Sequence, residues 1–479
     1  MASFHRQLNR RRLLQLGATG LVGAAGIVAA RPTPAYACTN APDVGLAPGN
    51  SPATNRANLV AALAGYTGCI TFPPGDYLID NSGSYIVVNG FAGDLTMQPG
   101  ARFVFTDKTT RGLNFEGGTG AAFHGLVATF TSPLPAARVG SEECIIFLHT
   151  TDTLVEDVDI NGSAAAGLMF FECVRPTALR VNVGNTMADG LHFANCQDGY
   201  ADQVTTNNTG DDGVAFVNYD SGPDYTGGWA SNITVTNSHA RGVSVVGQSD
   251  VTIDHFGVNW SAVSGIYCAY ESSYRTRVPT NVTFQNGFAY NGGALSGGSG
   301  NTFGLEYANV GEIFYNNVVL RTPGTRGASG TARAFTRTHA DGSTEPVPAG
   351  TVHLTGVSVE NAPASGFDVQ GGTHLLDTLS VSGSNQGGFY AGFCDSVEYV
   401  TMTVTNASKT DPLHRAFAFE KNTTVVGSTL YVVDTQATAT GYVVGAYGTQ
   451  SGNLGTIHDQ VTSRDLVVEN QSGLTYVLA

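Results

Sequence analysis

Positive charge is scarce in this chain of 479 residues, which has only three lysines and a formal net charge of −15. The first 37 residues contain five arginines and no acidic residue, so the remainder carries a net charge of −20. A strongly acidic surface repels phosphate backbones and anionic lipids. We therefore expect no nucleic acid and no membrane as partners. A neutral glycan fits this charge better than a polyanionic one.

A complete disulfide framework is also excluded, because the chain has seven cysteines, an odd number. Neither a C-x-x-C pair nor a Cys/His spacing typical of zinc is present, so we predict no metal site and no cofactor. Cys173 and Cys196 lie one sequence repeat apart and are predicted to stack. The sequence leaves open whether they form a buried thiol pair or a disulfide.

Long apolar runs and helical periodicity are nearly absent, whereas 61 glycines separate short alternating apolar runs. One pattern, a glycine followed by an apolar residue, any residue and another apolar residue, recurs with spacings of 23, 23, 29 and 23 residues. Its glycines are Gly167, Gly190, Gly213, Gly242 and Gly265. A fixed period in the low twenties is typical of stacked β-coils, so we predict an all-β solenoid.

The residues just before these glycines form a column that includes two acids. In order they are Ala166, Asp189, Asp212, Arg241 and Ser264. Neighbouring coils lie about 4.8 Å apart, and Asp211 adds a third carboxyl group beside Asp212. Carboxylates this close raise one another's pKa, as acid/base chemistry on a sugar requires, although a solvated acidic turn is the alternative. We expect these acids to point outward, with the following glycine relaxing the backbone at that point.

The N-terminal segment has the features of an export signal. Three arginines, Arg10 to Arg12, precede a weakly apolar run over residues 16–30, and Ala35-Tyr36-Ala37 follows. This arrangement resembles a bacterial twin-arginine signal cleaved after Ala37; an ordinary secretory signal and a retained anchor are the alternatives. We therefore expect residues 1–37 to be a signal peptide and the protein to be secreted from a bacterium.

The next segment, residues 38–80, is predicted to cover the start of the solenoid. Residues 55–63 have the apolar spacing of a short helix, and the run from Phe72 to Ile79 reads FPPGDYLI. This run resembles the entry segment of the pectate-lyase-like superfamily of right-handed parallel β-helices. The resemblance implies a right-handed parallel β-helix over residues 81–479 with a short N-terminal capping helix. A stretch near residues 322–350 is expected to leave the solenoid.

Three motifs in successive coils resemble those of the polygalacturonase family of glycoside hydrolases. They are NTMADGL at 185–191, GDDGVAF at 210–216 and RGVSVVG at 241–247. The resemblance implies inverting hydrolysis of a polysaccharide. Asp211 would then protonate the glycosidic oxygen, and Asp189 and Asp212 would activate water.

The sequence departs from that family at its basic residues. Arg241 replaces the family's histidine, His239 lies two residues earlier, and neither Tyr267 nor Ala269 is basic where an Arg/Lys pair is expected. In this respect the chain resembles β-helix hydrolases of neutral α-glucans, such as dextranases and α-1,3-glucanases. The predicted substrate-binding residues are His192, His239, Arg241, Tyr267, Glu271, Arg275 and Arg277.

Two other functions remain open at this point. One is a polysaccharide lyase or epimerase of the same fold, in which the three aspartates hold Ca²⁺. The other is a noncatalytic glycan-binding β-helix. The sequence does not specify the sugar, the linkage or the oligomeric state.

Overall fold

The computed structural model describes residues 38–131, 137–293, 302–407, 415–434, 443–461 and 466–479. The predicted export signal lies outside these residues. Over the described part the chain is a parallel β-solenoid of the right-handed type with about 15 turns and little helix. The prediction of an all-β parallel solenoid is therefore confirmed. Among the described residues, no helix is both long and apolar enough to cross a bilayer.

Two parallel sheets form the solenoid. The first has 22 described strands: Thr39–Asn40, Cys69–Phe72, Gly75–Ile79, Asp94–Met97, Ala101–Phe105, Ala122–His124, Val127–Phe130, Leu154–Ser163, Thr177–Thr186, Gly199–Thr209, Gly228–Ser238, Val251–Ser261, Val282–Gly292, Glu312–Arg321, Thr351–Thr355, Ser358–Glu360, Thr373–Asp377, Leu379–Ser382, Ser396–Thr405, Thr424–Asp434, Ser451–Val461 and Thr475–Leu478. The second has 15 described strands: Val87–Asn89, Leu113–Glu116, Ile145–Leu148, Leu168–Phe171, Leu191–Ala194, Val214–Val217, Arg241–Val246, Ser264–Ala269, Phe303–Ala308, Arg326–Thr331, Phe367–Gln370, Phe389–Gly392, Arg415–Glu420, Val443–Tyr447 and Val467–Asn470.

The register of the second sheet follows the sequence repeat. Leu168 pairs with Leu191, and Leu191 pairs with Val214, so residues one period apart are neighbours in space. Inside the solenoid the repeat stacks aromatic rings: the Phe170 and Phe193 centroids lie 5.2 Å apart, and those of Phe193 and Phe216 lie 4.7 Å apart. In the coils that contain them, these stacked rings bury apolar area, and such burial is the main stabilising contribution to the fold.

The repeated glycine serves close packing between coils rather than backbone relaxation. Neither Gly190 nor Gly213 has a positive φ, so our expectation of a backbone break there is wrong. A Cβ at Gly190 would lie 2.6 Å from the carbonyl oxygen of Gly213. A Cβ at Gly213 would lie 2.7 Å from the carbonyl oxygen of Gly242. Only a residue without a side chain lets adjacent coils approach this closely.

A helix spans Pro52–Leu63, next to a 3₁₀ turn at Ala41–Val44. The hydroxyl of Ser51 caps the helix by accepting a hydrogen bond from the Thr54 amide at 3.1 Å. Leu59 and Leu63 are buried in the same apolar core as the first strands. The function of this helix as a cap of the first coil stays a prediction.

The cysteines differ from the expectation in one respect. Cys38 and Cys69 form a disulfide that the repeat pattern gave no reason to expect, since Cys38 lies outside the periodic region. Cys173 and Cys196 stack as predicted but are free, buried thiols, so the disulfide alternative for this pair is wrong. Their side chains instead contact backbone carbonyl oxygens, Cys173 that of Phe147 at 3.3 Å.

The excursion expected near residues 322–350 is shorter than that range. Arg326–Thr331 is a regular strand of the second sheet, because Gly327 and Ala328 continue the repeat. The antiparallel hairpin of Phe335–Thr338 and Thr344–Val347 is the part that pairs with neither large sheet. We refer to residues 335–347 as the hairpin.

Candidate active site

Three carboxylates meet at the start of two neighbouring strands of the second sheet. Asp189 and Asp212 each lie two residues before their strand, and one oxygen from each of Asp189, Asp211 and Asp212 lies within 4.8 Å of the others. The predicted clustering is therefore present, but two acids are not open to solvent as we expected. Asp189 is 7% and Asp212 4% exposed, whereas the Asp211 side chain is 34% exposed.

Hydrogen bonds to the neighbouring coil fix the two buried acids. Asp189 Oδ1 accepts from the backbone amide of Asp212 at 2.9 Å, and Asp212 Oδ1 accepts from the amide of Arg241 at 3.0 Å. Ser244 donates its hydroxyl to Asp212 Oδ2 at 2.5 Å. Each acid thus satisfies a backbone donor of the next coil, which explains its position and holds its carboxylate rigid.

Each of the three acids also has a cationic neighbour. His192 Nδ1 lies 2.6 Å from Asp189 Oδ2, and Arg138 donates from Nη1 to Asp211 Oδ2 at 3.1 Å. The Nη1 of Arg241 lies 3.8 Å from Asp212 Oδ1. His192 is on the outer side of its strand, as predicted, but it is only 8% exposed.

The environment drives the pKa values of the three acids apart. Burial, reinforced by the negative charges of Asp189 and Asp211, raises the pKa of Asp212 to about 7. Burial and the charge of Asp189 also raise the pKa of Asp211. Against the cost of burial, the adjacent His192 lowers the pKa of Asp189. The cluster therefore combines one ionised carboxylate with two that retain a proton more readily, which is the requirement for paired acid and base catalysis.

The surroundings of His192 favour its protonated form. Its burial lowers the pKa, but the Asp189 carboxylate outweighs that effect and raises the pKa of His192 overall. The other ring nitrogen, Nε2, is buried and has no hydrogen-bond partner. A protonated Nε2 at this position is a donor available to a bound molecule.

Arg241 links the acids to two further predicted residues. Its Nη2 donates to Glu271 Oε1 at 2.7 Å, and its guanidinium carbon lies 4.2 Å from the centre of the Tyr267 ring. Tyr267 is 8% exposed, and Arg241 covers its ring. The structure thus brings Arg241, Tyr267 and Glu271 together beside Asp212, and their main partners are one another.

Three other predicted binding residues contact other parts of the protein. His239 is exposed and its ring packs against Trp260, with centroids 6.5 Å apart. Arg275 donates to the carbonyl oxygen of Ala340 at 2.7 Å, and Arg277 donates to that of Gly222 at 2.9 Å. Both guanidinium groups fasten loops, which the sequence could not distinguish from sugar-binding arginines.

The hairpin is attached to the loop that follows the Val214–Val217 strand. Asp220 in that loop is the common partner: it accepts from the Ala340 amide at 2.7 Å and pairs with Arg337, His339 and Arg277. The hairpin therefore lies beside this loop, which follows the C-terminal end of the Val214–Val217 strand, whereas the acids precede the N-terminal ends of their strands. Sequence periodicity gave no signal for this contact because it joins residues about 120 positions apart.

Two residues near the acids were missed at the sequence level. Arg138 belongs to an irregular segment and carries no periodic signal. Ser244 does have a periodic signal, because it pairs with Ala215 in the register. It therefore lies on the outer side of its strand, where its hydroxyl contacts Asp212.

No protein-family model matches the sequence, and no curated protein matches it. Solved structures match at the level of fold. A family 28 exopolygalacturonase of Yersinia enterocolitica aligns with a TM-score of 0.51 and 12% identity, covering 72% of this chain and 75% of that one. A mutant tailspike protein of E. coli bacteriophage HK620, solved with a pentasaccharide, aligns with a TM-score of 0.52 and 12% identity over 92% and 78% of the two chains.

A third similar structure is the catalytic domain of a GH87 α-1,3-glucanase in complex with nigerose. It aligns with a TM-score of 0.49 and 14% identity, covering 66% of this chain. The chain spans 60% of the length of that glucanase chain. The likeness to the exopolygalacturonase and to the tailspike protein establishes the parallel β-helix fold alone.

Proposed function

We propose that this protein is a glycoside hydrolase that cleaves the O-glycosyl bonds of a polysaccharide. The observation that carries the proposal is the cluster of Asp189, Asp211 and Asp212, whose oxygens lie within 4.8 Å of one another and whose pKa values are driven in opposite directions. Glycosidic bond cleavage needs a carboxylic acid and a carboxylate at the same bond.

The three acids divide the work by exposure and charge. Asp211 is the general acid, because its pKa is raised and it is the member of the cluster that solvent and substrate reach most easily. Asp189 is the base that activates water, because His192 keeps it ionised. The resemblance to polygalacturonases implies that Asp212 is the second member of the base, activating water together with Asp189.

The substrate we propose is a neutral glucan rather than a polyuronate. The net charge of −15 disfavours a polyanion, and the nearest guanidinium groups, Arg138 and Arg241, are already paired with acids. We also propose that the protein is secreted, on the strength of the arginine-rich N-terminal segment.

Stereochemistry is the sharpest test of the mechanism. Motif resemblance leads us to propose inversion, yet the nearest carboxylate oxygens are closer than the roughly 6.5–9.5 Å typical of inverting pairs. Proton NMR of the first product distinguishes the two cases: an inverted anomer supports the three-Asp mechanism, and a retained anomer contradicts it.

A lyase or epimerase with Ca²⁺ at the three acids is the second candidate, because three carboxylate oxygens within 4.8 Å offer a set of ligands. It ranks lower because each acid faces a cation, His192, Arg138 or Arg241, which opposes a divalent ion. EDTA-sensitive release of an ultraviolet-absorbing unsaturated sugar would favour this candidate over hydrolysis.

The experiment is a panel of neutral and uronic polysaccharides incubated with the purified protein, with products separated by chromatography. We expect new reducing ends from a neutral α-glucan. Asp211→Asn should lower the rate by 10²–10⁴-fold, the usual contribution of a general acid. Binding without turnover across the panel would indicate a noncatalytic glycan-binding protein instead.

A further inference from the structure

A groove lies on the outer face of the second sheet, away from the three acids. We call it the second groove, because it is separate from the acid cluster. Its volume is about 320 Å³, within the range of roughly 300–1,000 Å³ for small-molecule sites. Polar side chains and one tyrosine dominate its lining, which includes Ser365, Asp368, Gln370, Gln386, Tyr390 and Arg415. None of these residues belongs to the site described above.

The strand register places this groove in line with the acids. Arg241 pairs with Ser264, Ser264 with Phe303, and Phe303 with Arg326. The same register places Asp212 opposite Arg241 on the preceding coil and Ser365 opposite Arg326 on the following coil. Five strand spacings separate these ends, a distance of about 24 Å along the solenoid. A single extended chain on this face would therefore pass over both places.

Tyr390 gives the groove a flat aromatic surface. Its ring lies over Gly392, where any side chain would collide with it, and its hydroxyl donates to Glu420 Oε2 at 3.2 Å. The ring is thus held against the sheet while it remains partly exposed. The apolar face of a pyranose ring packs against an aromatic face held in this way.

The polar groups around Tyr390 suit hydroxyl groups without adding net charge. Asp368 is 3.5 Å from Arg326 and accepts from Gln370 at 3.2 Å, and the Arg415 guanidinium lies 4.7 Å above the Tyr447 ring. Ser365 and Gln386 add side chains that both donate and accept. A ligand rich in hydroxyl groups and free of charge matches this combination.

We propose that the second groove is a saccharide-binding site that holds a neutral glucan chain while the acids, about 24 Å away, cut it. The proposal rests on the hydrolase function proposed above. The second groove should contribute only to the binding of long substrates, since a short oligosaccharide bound at the acids does not reach Tyr390.

Binding is measured in the Asp211→Asn background, which prevents turnover, with dextran and α-1,3-glucan as probes. Adding Tyr390→Ala should weaken binding of the matching glucan by up to about tenfold, the equivalent of one aromatic contact. Adding Gln386→Ala, at an exposed position that the fold tolerates, should weaken it severalfold. Tyr431→Ala is the matched control, because this tyrosine lies on the first sheet of the same coils. It should bind like the parent.

If the Tyr390, Gln386 and Tyr431 variants all bind as tightly as the Asp211→Asn parent, the second site is overturned. Absence of binding of either glucan to the parent overturns it as well. With active protein, the ratio of polymer to trisaccharide cleavage should fall in Tyr390→Ala and stay constant in Tyr431→Ala. If wild-type protein cleaves no glycan while Tyr390-dependent binding persists, the hydrolase proposal fails and the binding site stands. If cleavage of polymer is intact in Tyr390→Ala, the hydrolase stands and the second site fails.

Discussion

His192 and His374 are both buried, yet they occupy opposite sides of the solenoid wall. His374 lies in the interior at 0% exposure, where Nε2 is 2.7 Å from the hydroxyl of Tyr307, and burial lowers its pKa to about 3. His192 lies on the outer face beside Asp189, which raises its pKa. Two buried histidines therefore have pKa values shifted in opposite directions, and the difference is the carboxylate partner.

The same contrast holds for the two sides of the second sheet near the acids. The inner side is a ladder of stacked phenylalanine rings, whereas the outer side packs three carboxylates against His192, Arg138 and Arg241. Substitutions inside should change stability with little effect on chemistry. Substitutions outside should change activity and its dependence on pH.

The largest expected effect comes from Asp189→Asn. Removing the ionised carboxylate should lower kcat about 10³-fold and return the pKa of His192 toward that of a buried, unpaired imidazole. Steady-state kinetics on the active polysaccharide measure the first effect. Asp202→Asn on the first sheet, where Asp202 accepts from Ser231 and Asn232, is the control and should keep activity. Near wild-type activity in Asp189→Asn would remove the base from the mechanism.

Phe193→Ala tests the interior in isolation. It breaks the ring stack with Phe170 and Phe216 and should lower the free energy of unfolding by about 3–5 kcal/mol, the usual cost of a buried phenylalanine. Urea denaturation measures the loss. Phe288→Ala, at a position 44% exposed on the first sheet, should cost less than about 1 kcal/mol. A shifted pH optimum in the folded fraction of Phe193→Ala would show that the inner and outer sides of the second sheet are not independent.

Prediction from sequence succeeded where the repeat dictates structure. The spacing of Gly190 and Gly213 gave the coil register and brought Asp189 beside Asp212. It gave no sign of the ion pair between Arg138 and Asp211, because Arg138 comes from an irregular segment. Sugar binding by Arg275 and Arg277 stays a prediction. Their long-range hydrogen bonds to loop carbonyl oxygens could not be predicted, because no local pattern encodes such contacts.

Asp212→Asn should change how stability depends on pH. A carboxyl group whose pKa is raised from 3.8 to about 7 stabilises the fold fully below pH 3.8, and that contribution is lost as the pH rises through 7. The wild type should therefore lose melting temperature between about pH 4 and pH 7, and the variant should lose less. For a group this buried the difference is on the order of 1–3 kcal/mol. Parallel melting curves would refute the raised pKa.

The smallest effect is spectroscopic. Titration by NMR should show His192 still protonated at a pH where free imidazole is neutral, and His374 neutral throughout the range from about pH 5 to 8. Disappearance of each signal in His192→Gln and His374→Gln assigns the resonances. If both histidines titrate near pH 6.5, the electrostatic contrast between the two sides does not exist.

Close contact across the repeated glycine has an evolutionary consequence. Gly190 and Gly213 each pack against a carbonyl oxygen of the next coil, and Asp189 and Asp212 each accept a hydrogen bond from a backbone amide of the next coil, so the acids are fixed relative to their neighbouring coils. Gain or loss of one whole coil would carry the acids along the solenoid by one increment of about 4.8 Å, leaving their mutual geometry intact. A coil gained or lost between the acids and the proposed saccharide site at Tyr390 would change the distance between them by the same increment. Homologous proteins that differ by one coil would then prefer glucan chains of different length.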